Sequence, residues 1–158
     1  MDEQAFEGAV RQHQDMLFRI AYTVLHNSED CADALQDALI RAWRNLPRLR
    51  DERAFRGWMA RIVINCSRDI LRRRRLKTVE LTEEIPVPPV RDEGLGEAIS
   101  ALEEGLRLPI TLYYMEGMSV EEVAAAMRLP QGTVKNRLFR ARKRLAALLE
   151  REEELQWN

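Results

Sequence analysis

Residues 117–145 read GMSVEEVAAAMRLPQGTVKNRLFRARKRL, and the stretch divides itself into two helices and a turn. Gly117 can take the left-handed position that closes a preceding helix. Ser119 with Glu122 three residues on forms a capping box, which starts a short helix that ends near Met127. Arg128-Leu129-Pro130-Gln131-Gly132 then turns the chain into a second helix. Projected at about 100° per residue, Val134, Leu138, Ala141, Leu145 and Leu148 fall together as a buried stripe. Asn136, Arg140 and Lys143 point the opposite way, flanked by Lys135, Arg137 and Arg144. Residues 131–145 hold six basic side chains and no acid. A solvated helix face usually mixes both signs to gain i,i+4 pairs, whereas a single-sign face suits phosphates and a DNA groove. A short helix, a tight turn and a longer basic helix are the parts of a helix-turn-helix reader. Phe139 also projects outward, able to touch a thymine methyl or to pack on a neighbouring helix.

Upstream, helical segments are expected over about 4–25, 28–46 and 53–76, and then over about 98–115, 119–127 and 131–152, with no strand pattern anywhere. The fold expected is all-α: an N-terminal helical bundle and a C-terminal helix-turn-helix domain. Asn27 or Ser28 can cap the second helix, with Glu29 and Asp30 favouring its positive end. That helix aligns Ala34, Leu35, Ala38, Leu39, Ala42, Trp43 and Leu46 on one face and stops at Pro47. The third presents Phe55, Trp58, Met59, Ile62 and Ile70 inward. Residues 78–97, TVELTEEIPVPPVRDEGLGE, are proline-rich without helical period and read as a flexible acidic linker. Domains are therefore expected at 1–77 and 98–158.

The totals mislead until they are divided. The chain has 158 residues, 25 Lys and Arg against 26 Asp and Glu, and a net charge of −1, which argues against a nucleic-acid binder. By segment, residues 1–77 carry +4, 78–97 carry −5, 98–145 carry +3 and 146–158 carry −3. Two basic domains are masked by an acidic linker and tail. Glu80, Glu83, Glu84, Asp92 and Glu93 would then screen the basic faces of the free protein. The acidic tail, with Glu150, Glu152, Glu153, Glu154 and Trp157, reads as a solvated terminus.

Other classes drop out. The N-terminus, MDEQAFEGAV, lacks the basic-then-apolar order of a signal peptide, and no apolar run approaches the ~18 residues that span a bilayer. Cys31 and Cys66 form no CxxC pair, and His13 and His26 have no second ligand nearby, so no metal, disulfide or cofactor is expected. Neither a nucleophile–base pair nor a phosphate loop stands out, and an enzyme is not expected. A cytoplasmic protein without membrane insertion is.

Residues 53–77 hold nine basic side chains and one acid, ending in Arg72-Arg73-Arg74-Arg75. With Phe55, Trp58 and Asn65 interleaved, this suits a surface that cradles unpaired bases, although Trp58 can equally be a core aromatic. The preceding helix shows Asp33, Gln36, Asp37, Arg41 and Arg44, a mixed face better suited to a protein partner.

DCADALQDALIRAWRNL followed by FRGWMARIVINCSRDILRRRR resembles region 2 of the extracytoplasmic-function (ECF) sigma factors. LRLPITLYYMEGMSVEEVAAAMRLPQGTVKNRLFRARKRL resembles their region 4. The resemblance implies a promoter-specificity subunit of RNA polymerase. It implies that the Asp33–Arg44 face docks on the β′ clamp helices and that region 4 engages the β flap. Thr133, Lys135, Asn136, Arg137, Arg140 and Lys143 would then read the −35 element. Trp58, Arg61, Asn65, Arg72, Arg73 and Arg74 would serve the −10 element, with the loop at 49–53 shaping a pocket for a flipped base. A cognate anti-sigma factor is implied too. Two departures stand out: Leu102-Glu103 where the family often has Leu-Pro, which alters a helix entry, and Cys66-Ser67 after Asn65 where small apolar residues are common. A stand-alone regulator that dimerises through its N-terminal part is the competing reading.

Overall fold

A computed structural model describes the backbone of residues 1–78 and 94–157, and the side chains of 1–77 and 94–151. Among the described residues there are seven α-helices and no strand, in two compact units. Most of the expected linker, five of its six carboxylates (80, 83, 84, 92 and 93) and the tail side chains from 152 onward lie outside the described residues.

The N-terminal unit is a three-helix bundle of α1 (Glu3–Leu25), α2 (Ser28–Asn45) and α3 (Phe55–Thr78). The corner between α1 and α2 is built from two adjacent polar residues. His26 takes the left-handed conformation (φ 54°) that ends α1, and its N–H donates to the Tyr22 carbonyl. Asn27 is extended, and its side-chain oxygen accepts from the Asp30 amide at 3.0 Å, so Asn27 is the cap and Ser28 the first helical residue. Pro47 ends α2 in a single 3₁₀ turn, Leu46–Arg48, because it lacks the N–H that a further α-turn needs.

The inward faces are narrower and smaller than the hydrophobic pattern implies. On α2 the buried stripe is Cys31, Ala34, Ala38 and Ala42, closed by Leu46. Leu35 and Leu39 are only half-buried, and Trp43 stays 47% exposed. Short side chains let α2 approach α1 and α3 closely, which pushes the bulky neighbours to the rim. On α3 the core is Phe55, Met59, Ala60, Val63, Ile64, Cys66 and Ser67. Trp58, Ile62 and Ile70, expected inward, are half-buried. From α1 come Met16, Leu17, Ile20, Ala21, Val24 and Leu25.

In the C-terminal unit the single segment expected over 98–115 is broken. Helix α4 (Leu95–Ser100) begins inside the expected linker; α5 (Glu104–Ile110) follows a break in which Glu103 turns extended (ψ 147°) and Leu102 is buried. A π-helical turn, Thr111–Met115, continues α5, with the Glu116 N–H reaching the Thr111 carbonyl five residues back. Helix α6 (Val120–Met127) and helix α7 (Gln131–Trp157) follow in sequence. Gly117 adopts φ +66° and leads the Met118 N–H to the Leu112 carbonyl. The capping box forms in both directions: the Glu122 N–H donates to Ser119 Oγ at 3.1 Å, and the Ser119 N–H to Glu122 Oε1 at 3.4 Å. Val134, Leu138, Ala141 and Leu145 are buried, while Leu148 is half-buried.

Candidate nucleic-acid interface

Two helices carry the basic residues, and each places a polar stripe opposite its core. On α3, positions 58, 61, 65, 68 and 72 recur at three- and four-residue spacing, about half a turn from Met59, Val63 and Cys66. Asn65 and Arg72 are exposed; Trp58 and Arg61 are half-exposed. The Trp58 ring lies 6.0 Å from that of Phe55, so its inner edge is held by the core and its outer edge faces solvent.

The arginine run does not act as one block. Arg74 follows Ile70 by four residues and Ser67 by seven, which puts it on the core side of α3. There its Nη2 lies 2.8 Å from Asp30 Oδ2, and its Nη1 donates to the Leu25 carbonyl at 3.3 Å. Arg74 thereby neutralises the end of α1 and the first turn of α2 at once. Arg72 lies 3.7 Å from Asp69, whose other oxygen accepts from Arg41 at 3.1 Å. Helical phase was a signal for Arg74 that the bare count of arginines concealed.

The mixed face of α2 and the end of α3 meet in one polar groove of about 350 Å³. Asp33, Gln36 and Asp37 line one wall; Arg73, Arg74 and Lys77 line the other, over Ile70. Arg44 is exposed and does not line this groove, and Arg41 reaches α3 through Asp69. The residues expected to meet protein and those expected to meet DNA therefore share a boundary.

On α7, Thr133, Asn136, Arg140 and Lys143 form a continuous outward row at three- and four-residue spacing, and Lys135 is exposed beside it. Thr133 is half-buried at the first turn. Arg137 departs from this row. It is half-buried, and its Nη1 donates to the Gly105 carbonyl of α5 at 3.4 Å. Phe139 is 54% exposed, and the Lys143 ammonium sits 4.7 Å from its ring centre. Two features escaped the sequence reading. Arg142 pairs with the Tyr114 hydroxyl of the π-helical turn and lies over its ring. Arg107 is half-buried and turns its guanidinium to the Ser100 and Leu102 carbonyls, capping α4; burial pulls its pKa down.

The sequence matches two families, Sigma-70 region 2 over residues 9–77 and Sigma-70, region 4 over residues 92–145. It is 35% identical over 154 residues to the ECF RNA polymerase sigma factor SigM of Mycobacterium tuberculosis, covering 94% of this chain and 79% of that one. It is 32% identical over 162 residues to the ECF RNA polymerase sigma-E factor of Escherichia coli, covering 89% and 84%. Among solved structures, it superposes on CnrH in complex with the cytosolic domain of CnrY with a TM-score of 0.71, at 30% identity over 94% of this chain and 90% of that one. The sigma factor RpoE in complex with the anti-sigma factor NepR, from Bartonella quintana, shares the fold with a TM-score of 0.76 at 24% identity, over 92% and 96% of the two chains. Both halves of the chain match, in order and over nearly its whole length: it belongs to the ECF RNA polymerase sigma factors, which direct polymerase to specific promoters.

Proposed function

We propose that the two outward stripes divide promoter recognition between them. The row on α7 enters the major groove of the −35 element; the stripe on α3 opens and holds the −10 element. The observation that carries this division is the position of both stripes opposite a buried core, with Trp58 and Asn65 set between arginines on α3 and an outward row of Thr133, Asn136, Arg140 and Lys143 on α7. Arg140 can pair bidentately with guanine and Asn136 with adenine, each good pair giving about 1–3 kcal/mol of discrimination. Lys135 and Lys143 supply phosphate contacts, and Thr133 caps the approach at the start of the helix.

On α3, Asn65 offers a donor and an acceptor to the edge of an extruded base, and the exposed edge of Trp58 offers a stacking surface. Unstacking costs a few kcal/mol, which such contacts offset. Arg61, Arg72 and Arg73 hold the adjacent backbone. Arg74 is assigned to the same site through its grip on the α1–α2 corner, which sets where its neighbours project. Asp33, Gln36, Asp37, Arg41 and Arg44 dock on the β′ clamp helices, and region 4 on the β flap. By analogy with the relatives solved with anti-sigma partners, a cognate anti-sigma factor covers one or both of these surfaces. The protein works by binding, in the cytoplasm; among the described residues no helix is long and apolar enough to cross a membrane.

Transcription in vitro with purified core enzyme tests the division. Arg140→Ala is expected to relax −35 discrimination while core affinity holds. Asn65→Ala is expected to slow promoter opening more than duplex binding, with recovery on a pre-melted template. Loss of core binding in Arg140→Ala, or promoter opening unchanged in Asn65→Ala, would overturn the assignment; equal damage by Asn65→Ala on pre-melted and duplex templates would mark base recognition rather than melting.

A further inference from the structure

We propose that Arg137 is a positioning residue: it ties α7 to α5 through a carbonyl that Pro109 leaves open, and does not itself read DNA. The inference rests on α7 being the −35 helix and deepens that reading. Pro109 lies inside α5 and is buried. In a regular helix the amide of residue 109 would donate to the carbonyl of residue 105. Proline has no N–H, and its ring crowds that same carbonyl outward. The Gly105 carbonyl is the one to which Arg137 Nη1 donates, at 3.4 Å.

The contact is close: a Cβ at position 105 would sit 3.4 Å from Arg137 Nη1, so the guanidinium lies directly against this turn of α5. Arg137 in turn follows Val134 by three residues and precedes Ala141 by four, both fully buried. Its stem therefore runs beside the seam between α7 and α5, while Asn136 and Arg140 project from the far side. Three residues, Gly105, Pro109 and Arg137, form a lock that fixes the rotation of α7 about its own axis. Base-reading side chains need their supporting shell fixed to about half an ångström, and rotation of the helix is the motion that would spoil it.

The test is equilibrium binding of holoenzyme to a promoter duplex that the same holoenzyme enriches from a random library, between about 50 and 200 mM salt. Arg137→Ala is expected to weaken binding roughly tenfold, well below the unfolding temperature, with the salt slope unchanged. Arg137→Lys is expected to fail similarly, because its shorter, unforked side chain ends before the carbonyl. Pro109→Ala restores an N–H to Gly105, so the penalty of Arg137→Ala is expected to shrink in that background. A slope reduced by about 0.9 in Arg137→Ala, with rescue by lysine, would mark a phosphate contact and overturn the proposal. So would a lowered unfolding temperature with undiminished affinity, or strictly additive effects at 109 and 137. Arg140→Ala is the separate control: if it leaves promoter affinity and discrimination intact, the reading of α7 itself fails.

Discussion

The two basic helices are built on opposite electrostatic plans. On α3 the protein supplies counter-charges of its own: Asp69 faces Arg72 and Arg41, and Asp30 holds Arg74. On α7, residues 131–145 contain no acid, and the inward arginine is held by a neutral carbonyl. Under the proposed division, compensated cations on α3 gain less from phosphate than uncompensated ones, so base recognition there rests more on Asn65 and Trp58. Uncompensated cations gain most where counterions are released. On the proposed reading, long-range attraction falls to one helix and local chemistry to the other, although both look alike as runs of Arg and Lys.

The cores differ as well, and the largest effects are expected there. Leu138 is 2% exposed within an aliphatic core, and Leu138→Ala should cost about 2–5 kcal/mol by leaving a cavity. Ala38 is fully buried in the small-residue stripe of α2, and Ala38→Leu should cost about 1–3 kcal/mol by overpacking. Urea denaturation followed by circular dichroism measures both. If Ala38→Leu were neutral, the close approach of α2 to its neighbours would be wrong.

Next in size, Ser119→Ala should remove about 1 kcal/mol by opening the capping box that starts α6. Hydrogen exchange at the Glu122 amide locates the loss. Smaller still is Asp69→Asn, which frees Arg41 and Arg72 at the surface and should change stability by less than about 1 kcal/mol. It should nevertheless steepen the salt dependence of DNA binding, moving α3 toward the behaviour of α7. An unchanged salt slope would break the electrostatic contrast between the helices.

The slightest effect is one of pH. His13 stacks 6.0 Å from Phe55, and burial, with Arg56 nearby, holds its pKa below the ordinary value. A base whose folded pKa is depressed favours folding while neutral. Its contribution is therefore complete above the unfolded pKa of about 6.5 and declines as pH falls from there through the folded value. His13→Gln should flatten this decline in thermal melts between pH 7 and pH 5.

Much of this was legible from local rules. The His26-Asn27 corner, the Ser119–Glu122 box and the buried row of α7 each follow from a few neighbouring residues whose chemistry admits one local answer. The parts that were not legible depend on partners distant in sequence. The hydrophobic pattern of α2 favours Leu35, Leu39 and Trp43, yet helix approach selected Cys31 and the alanines. Arg74 and Arg137 belong to basic runs by sequence alone, and only the fold brings Asp30, Leu25 and Gly105 beside them. The break at Glu103 and the π-helical turn interrupt a segment whose apolar periodicity is continuous.

The small-residue stripe has one more consequence. Burial pushes the Cys31 thiol up to about 11 and raises that of Cys66. At neutral pH only about one Cys31 in ten thousand is the nucleophilic thiolate. Both sulfurs should resist alkylation while the bundle is closed and react once it opens. An alkylating agent therefore turns these two silent residues into a clock for the opening of the N-terminal unit, with no label engineered into either basic stripe.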